Sequence, residues 1–226
     1  MKTKNLFKNA KAGFNLLLVF LFAVGLATLN SCENDDEPMP EPEMEKTIVD
    51  VAAEAGSFQI LLQAAQKAGL ANFLSTEKNL TVFAPTDAAF STLLGDLGLS
   101  SLDDIDNATL ASILTYHVVS GMAYANTLST GVLPSLNNNS PDQKPLSLMV
   151  NVGNDVMINN AKVTAADVMA SNGIIHVIDK VLLPPSVVDL ATYSGSFSSL
   201  VSAVVKADLV EALSGDGPFT VFAPNN

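Results

Sequence analysis

Hydrophobic residues between positions 57 and 117 recur at the spacing of amphipathic helices. Ser57 is the predicted N-cap of the first helix, whose apolar series is Phe58, Leu61, Leu62, Ala65 and Ala68. Thr86 is predicted to cap a second helix, which runs through Phe90, Leu93 and Leu94. Asn107 is predicted to cap a third, whose inner face carries Leu110, Ile113, Leu114 and His117. A short buried strand, 80–84, is predicted between the first two helices and ends before Pro85.

From residue 146 onward the pattern changes to short runs rich in β-branched residues, which are typical of strands. The predicted strands are 146–150, 156–158, 163–165 and 174–183. Turn-forming residues separate them, at 153–155, 159–160 and 172–173. Because helices occupy the first half and strands the second, the sequence predicts an α+β fold.

A segment near the start of this region recurs later in the chain without a gap. Residues 49–56 align with 188–195, and the run Thr-Val-Phe-Ala-Pro at 81–85 recurs at 220–224. The second copy stops at Asn226, soon after that shared run, whereas the first continues through all the predicted strands. We therefore predict one complete domain at 46–185 and, at 186–226, an N-terminal fragment of a second domain that cannot close a core.

The N-terminus has the pattern of an export signal, predicted to span 1–31. Lysines at positions 2, 4, 8 and 11 precede the apolar stretch 16–29. That stretch is shorter than the roughly 20 residues that a membrane-spanning helix needs. It ends in Leu-Asn-Ser-Cys, which resembles the lipobox of bacterial lipoproteins and implies that Cys32 is acylated and becomes the new N-terminus. The alternative is an ordinary secretory signal with an incidental cysteine.

Residues 32–45 are rich in acidic residues and proline, so they are predicted to form an extended tether. The acidic block 33–37 resembles the surface-export signal of Bacteroidetes lipoproteins. That resemblance implies a lipid-anchored protein of the outer membrane, displayed on the cell surface. The alternative is a solvated spacer that faces the periplasm.

Composition narrows the possible partners. Hydrophobic residues make up 48% of the chain and charged residues 15%, as in globular proteins. The net charge is −12, and all 11 basic residues are lysines. A negatively charged chain repels polyanions. Without arginine it also lacks the guanidinium group that binds phosphate through two hydrogen bonds, so nucleic-acid binding is excluded. The single cysteine excludes an intrachain disulfide.

Four segments together resemble the fasciclin domain family. The first signature is 81–90 and the second is 172–184, with a Tyr-His segment at 116–121 and a penultimate strand at 163–167. The resemblance implies a wedge of two β-sheets flanked by helices, and an adhesion or matrix-binding module with no cofactor. Its partner would be an extracellular or cell-surface protein or glycan. The residues implied as structural are Thr81, Phe83, Pro85, Thr86, Asp87, Tyr116, His117, Asn172, Gly173, His176 and Asp179.

Candidate catalytic and metal sites are few. Both histidines, His117 and His176, lie in apolar surroundings and are predicted to be buried, with ring nitrogens bonded to the backbone. A metal site with Asp167 or Asp179 would lack close ligand spacing, so none is predicted. The chain also lacks the Gly-x-Ser-x-Gly elbow of many serine hydrolases, and we predict that it is not an enzyme.

Three residues are candidates for partner binding. Animal members of the family carry a proposed aspartate-isoleucine adhesion motif, which directs attention to Asp104 and Ile105. Their acidic neighbourhood lacks the glycine and distal glutamate of a calcium loop. The alternative function is a glycan-binding lipoprotein of an outer-membrane uptake or envelope system. Only Tyr116, Tyr124 and Tyr193 offer a phenol to a glycan, and Tyr124 is the candidate among them. The absence of tryptophan favours adhesion.

Overall fold

The computed structural model describes residues 46–140, 142–215 and 217–226. The helices are α1 (Ile48–Ala55), α2 (Gln59–Lys67), α3 (Ala71–Thr76), α4 (Asp87–Asp96), α5 (Asn107–Tyr116), α6 (Val187–Ser194), α7 (Ser198–Lys206) and α8 (Val210–Ser214). None of the helices in these ranges is long and apolar enough to cross a bilayer. The signal peptide, Cys32 and the tether fall outside the described residues, so those assignments stay predictions.

Seven strands form one continuous sheet. They are β1 (Leu80–Pro85), β2 (Val118–Ser120), β3 (Gly131–Pro134), β4 (Ser147–Val152), β5 (Val156–Ile158), β6 (Ala161–Ala170) and β7 (Gly173–Ile178). The order is β2-β1-β7-β6-β5-β4-β3, parallel at β1–β7 and antiparallel elsewhere. The two sheets that the family resemblance implied are joined through β6. A bridge between Val119 and Ser135 links β2 to the chain after β3, so the sheet is nearly closed. The α+β class is confirmed.

The core has two parts, one on each side of β1. Because successive strand residues point to opposite faces, Val82 and Phe83 belong to different clusters. Val82 packs with the helices, in a cluster that includes Leu61 of α2 and Leu110 of α5. Phe83 packs inside the curved sheet with Tyr116 and strand residues. Between them the two clusters bury both faces of β1, so this strand lies at the centre of the domain.

Helix starts differ from prediction where a distant side chain or a neighbouring residue serves as the cap. Thr86 caps α4 as predicted. Ser57 does not cap α2; the Asp87 carboxylate instead accepts a 2.8 Å hydrogen bond from the Ile60 amide. Asp106, not Asn107, caps α5, and its hydrogen bond from Thr109 lowers the pKa of Asp106. Periodicity located these helices but could not detect a cap supplied from a distant segment.

Strand 156–158 is confirmed at its predicted bounds, whereas the last two strands differ from prediction. β6 is longer than 163–165, because two register shifts let it continue to Ala170. β7 ends at Ile178, not residue 183, because the carboxylate of Asp179 accepts a hydrogen bond from the Lys162 amide at the end of the pairing. Elements α1, α3, β2 and β3 were not predicted from periodicity; each is short.

The second copy repeats the geometry of the first. Ser186 caps α6 with the same reciprocal bonds by which Thr47 caps α1. Asn226 accepts a hydrogen bond from the Ser199 amide at 2.9 Å, as Asp87 does from Ile60 in the first copy. Segment 219–224 forms no strand within the described residues, and α6, α7 and α8 contain no buried residue. The fragment thus has helix geometry without an enclosed core.

Candidate functional site

The parallel pairing of β1 with β7 brings the two signature segments together. Thr81 lies opposite Ile174, and Phe83 lies opposite His176. The rings of Phe83 and His176 stack with centroids 5.4 Å apart and are fully buried. Side chains from two distant parts of the sequence therefore form one buried unit at the centre of the sheet.

The polar atoms of this unit hold an adjacent loop, residues 121–130, which we call the Tyr124 loop. The Thr81 hydroxyl donates to the Gly121 carbonyl at 2.7 Å and accepts from the Ala123 amide at 2.9 Å. His176 Nε2 lies 2.7 Å from the Ala123 carbonyl. These three bonds fix the backbone on the N-terminal side of Tyr124.

Asp167 completes the support of the Tyr124 loop. It has a left-handed φ of 56° at an irregularity in β6, and its amide donates to His176 Nδ1 at 3.3 Å. Its carboxylate accepts a hydrogen bond from the Ala125 amide at 2.9 Å. Since the Asp167 amide can only donate, Nδ1 accepts and Nε2 carries the proton. Sequence reasoning missed this role, because β6 also contains the polar residues Lys162 and Thr164, so Asp167 does not stand out in the pattern of the strand.

Two exposed side chains lie on or shortly after this loop in the chain. Tyr124 is 37% exposed, and Val132, on strand β3, is 63% exposed. Residues 164–166 of β6, immediately before Asp167, are also exposed. Four hydrogen bonds hold the backbone on both sides of Tyr124, so little backbone entropy would be lost if this loop bound a partner.

His117 is buried and bonded at both ring nitrogens, as predicted. Nδ1 lies 2.8 Å from the Ile113 carbonyl, and Nε2 accepts from the Leu182 amide at 2.9 Å. Because the Leu182 amide can only donate, the proton resides on Nδ1. Burial lowers the pKa of His117 to about 4, so the ring is neutral at physiological pH. It is the C-cap residue of α5, where it links that helix to the chain after β7.

Tyr116 and Asn159 form a second buried pair. The Tyr116 hydroxyl donates to the Ser147 carbonyl and accepts from Asn159 Nδ2, each at 3.0 Å. Burial raises the pKa of Tyr116 to about 12, so the phenol stays protonated. The side-chain oxygen of Asn159, Oδ1, accepts a hydrogen bond from the Met149 amide at 2.8 Å. Tyr116 therefore serves the packing of β4 and offers nothing to a ligand.

Asn172 and Gly173 join the start of β7 to the helices. Asn172 accepts from the Ile48 amide and donates to the carbonyls of Leu74 and Glu77, each at 2.8 Å. A Cβ on Gly173 would overlap the Leu80 carbonyl and the Ile48 side chain. This turn requires asparagine for its three bonds and glycine for the close approach of β1.

The Asp104–Ile105 pair lies at the end of a short 3₁₀ turn, Leu102–Asp104. The exposed Asp104 carboxylate accepts hydrogen bonds from the Ser100 and Ser101 amides. Ile105 is buried, with 8% of its surface exposed. A binding role for this pair stays a prediction, and it would rest on the Asp104 carboxylate alone.

Within the described residues, no group of three or more His, Cys, Asp or Glu side chains could hold a metal ion. In the same part of the chain, every buried side-chain nitrogen or oxygen has a hydrogen-bond partner. Pro85 is buried at the end of β1, beside the Thr86 and Asp87 caps described above. The buried polar side chains of both signature segments are thus bonded within the fold.

A family model for the fasciclin domain matches residues 56–184 and 195–226. The chain belongs to the fasciclin domain family. The two matched ranges fall inside 46–185 and 186–226, the two copies seen in the sequence repeat. The family is one of non-enzymatic adhesion modules.

Two relatives and one solved structure illustrate the likeness. Protein sll1483 of Synechocystis is 44% identical over 139 residues, 62% of this chain and 74% of that protein. Human periostin is 33% identical over 153 residues, 66% of this chain but only 18% of periostin. A FAS1 domain pair from the insect cell adhesion molecule fasciclin I matches with a TM-score of 0.50 and 22% identity, covering 72% of this chain and 57% of that one. At that identity the solved structure supports the fold alone.

Proposed function

We propose that this fasciclin chain is a cell-surface adhesion module, tethered by lipid on Cys32, that binds an extracellular or cell-surface partner through the Tyr124 loop. It acts without catalysis, cofactor or metal. The acidic segment 32–45 would hold the domain away from the bilayer. Localisation at the outer membrane, facing outward, is part of the same proposal.

One observation carries the proposal. The side chains of Thr81, Asp167 and His176 each form a hydrogen bond with the backbone of the Tyr124 loop. Rigid scaffolds that present an exposed loop are a common arrangement for binding. A catalytic use of either histidine is disfavoured, because both rings are buried and bonded to backbone groups.

Membership of the family supports the adhesion role, because fasciclin domains form a family of non-enzymatic adhesion modules. This chain spans about a fifth of the length of periostin, so the partners of that whole protein are not transferred to it. The shared element is the domain itself, and the proposal is restricted to binding by that domain.

A glycan partner is the second candidate, and one observation favours it. Tyr124 is an exposed phenol on a fixed backbone, and such a ring can stack on a sugar and accept hydrogen bonds. We expect a protein partner first, because the chain has no tryptophan, the aromatic residue that a glycan site would be expected to expose.

The test compares cells that display the full chain with cells that display Tyr124→Ala. Retention is measured on immobilised collagen and, separately, on immobilised envelope polysaccharide. Tyr124→Ala is expected to reduce retention by about tenfold or more, as loss of a central aromatic contact does. Leu97→Ala, which removes an exposed apolar side chain at the end of α4, is the matched control.

Retention on collagen supports a protein partner, and retention on polysaccharide alone supports the glycan alternative. Equal retention of the Tyr124→Ala and Leu97→Ala cells would exclude the Tyr124 loop as the contact. Retention no greater than that of cells without the chain, on both surfaces, would contradict the adhesion role.

A further inference from the structure

An irregularity in the sheet brings a charged residue next to the buried His176. Two residues of β6, 166 and 167, stand opposite His176 alone, because the pairing of β6 with β7 shifts by one residue there. The second of them is Asp167, whose φ of 56° is left-handed. A β-bulge of this kind turns a side chain out of the regular alternation of the strand, and left-handed backbone at a residue other than glycine is frequent at functional positions.

Asp167 and His176 together hold the backbone on both sides of Tyr124. The Asp167 carboxylate accepts from the Ala125 amide at 2.9 Å. The neutral His176 ring, protonated at Nε2, donates to the Ala123 carbonyl at 2.7 Å. The two residues are also joined to each other, since His176 Nδ1 accepts from the Asp167 amide. Each donor in this arrangement faces an acceptor, and that requires Nδ1 to carry no proton.

A proton on Nδ1 would remove this match. The protonated ring has two N–H donors and no acceptor, so Nδ1–H would face the amide N–H of Asp167. A charge in a buried site also requires a partner, because an unpaired charge is costly there. The Asp167 carboxylate belongs to the same residue as the amide at Nδ1, so it is the anion placed to accept from the new donor.

The elements around His176 carry few charges. Across the seven strands, α5 and the Tyr124 loop, all within the described chain, the charged residues are Lys162 and Asp167. Lys162 lies at the start of β6 and forms an ion pair with Asp155 at 2.8 Å. The other titratable groups on these elements are the phenols of Tyr116 and Tyr124. Imidazole is the side chain whose charge ordinarily changes between pH 5 and 8, so acidification in that range acts here on the histidine.

We propose that protonation of His176 releases the Tyr124 loop. The proton adds to Nδ1, and the Asp167 carboxylate turns from the Ala125 amide to the new Nδ1–H. The hydrogen bond from Ala125 is lost, and the backbone after Tyr124 is no longer held by β6. This regulation rests on the proposed adhesion through the Tyr124 loop: the loop is held for binding at neutral pH and released in acid.

His117, the other buried histidine, provides a matched control. Both of its hydrogen-bond partners are backbone groups, the Ile113 carbonyl and the Leu182 amide. Its protonation is therefore expected to weaken the whole domain, whereas protonation of His176 is expected to loosen the Tyr124 loop.

Hydrogen exchange of the full chain in lipid nanodiscs tests this regulation. Exchange is compared at pH 7 and pH 5, with labelling times scaled to the intrinsic exchange rate at each pH. Amides of 125–128 should lose protection by about tenfold or more at pH 5, as expected when a hydrogen bond that holds a loop is lost. The same loss should occur in His117→Gln, in which the amides of β1 should keep their protection because that ring no longer titrates.

Two variants test the partners separately. His176→Gln can still accept from the Asp167 amide and donate to the Ala123 carbonyl, but it does not take up a proton. Asp167→Asn can still accept from the Ala125 amide, but it carries no charge to stabilise a protonated ring. Both variants should show equal protection of 125–128 at the two pH values. Circular dichroism checks that both fold.

Equal protection of 125–128 at pH 7 and pH 5 in the unsubstituted chain would overturn the proposal. The same loss of protection in His176→Gln, or its disappearance in His117→Gln, would also overturn it. Retention of displaying cells on collagen and polysaccharide at both pH values separates this regulation from adhesion itself. A loop that responds to pH on cells that bind neither surface would contradict adhesion and support release of the loop. Retention that does not fall at pH 5 would overturn the regulation and leave the adhesion role intact.

Discussion

At the scale of single residues, asparagine and glycine at the start of β7 determine how closely β1 and the helices approach. Gly173→Ala is expected to destabilise the domain by about 1–3 kcal/mol or more, because its Cβ would overlap the Leu80 carbonyl. Gly153→Ala, where a Cβ meets open space at ordinary backbone angles, is the control and should change stability little. Urea denaturation measures both, and equal midpoints would contradict the close approach.

His117 makes stability depend on pH. Its pKa is lowered from 6.5 to about 4 by burial, so the unfolded chain binds a proton more readily than the folded one. The free energy of unfolding contributed by this ring is present above pH 6.5 and is lost as the pH falls toward about 4. Each pKa unit corresponds to roughly 1.4 kcal/mol, so the full effect is on the order of 3 kcal/mol.

Urea denaturation between pH 7 and pH 5 checks the role of His117. The His117→Gln variant can still bond the Ile113 carbonyl and the Leu182 amide, but it cannot titrate. It should be less stable than the unsubstituted chain at pH 7 and should lose less stability on acidification. The same loss in both proteins would assign the pH dependence to other groups.

At the scale of elements, β1 and β7 support the Tyr124 loop. Thr81→Val keeps the side-chain shape and removes the hydroxyl bonds to Gly121 and Ala123. Amides of 121–128 should exchange hydrogen about tenfold faster or more, since a bond lost from a buried site costs about 1–3 kcal/mol. Thr92→Val is the control, because the exposed Thr92 hydroxyl bonds only its own helix. Unchanged loop exchange in Thr81→Val would contradict the support of the loop by β1.

Sequence patterns predicted the elements with strong periodicity or turn residues, such as α4, α5 and β5. The sequence also predicted that both histidines are buried, because their neighbours in the chain are apolar. Patterns missed α1, α3, β2 and β3, which are short and are fixed by contacts with distant segments. They also missed the bonds of Asp167 and Asp87, because a carboxylate that caps a remote amide leaves no local signal. From the sequence, therefore, Tyr124 could be named as a candidate, but the loop that carries it and the bonds that hold that loop could not.

At the scale of the whole molecule, one domain has a closed core, whereas the fragment that follows repeats its first helices without one. The complete domain needs nothing from the fragment for its buried polar bonds, which all lie within 46–185. Display of that domain outside the cell is the condition for its proposed function, and the proposal assigns that display to lipid on Cys32 and to the segment 32–45.

Proteinase K treatment of intact cells, followed by immunoblotting against residues 46–185, tests this condition most directly. Lysed cells are the control for cleavage. The proposal predicts loss of the cell-bound signal from intact cells, because the protease would cut an outward-facing tether at 32–45. Protection in intact cells with cleavage after lysis would place the domain inside the envelope and contradict surface adhesion.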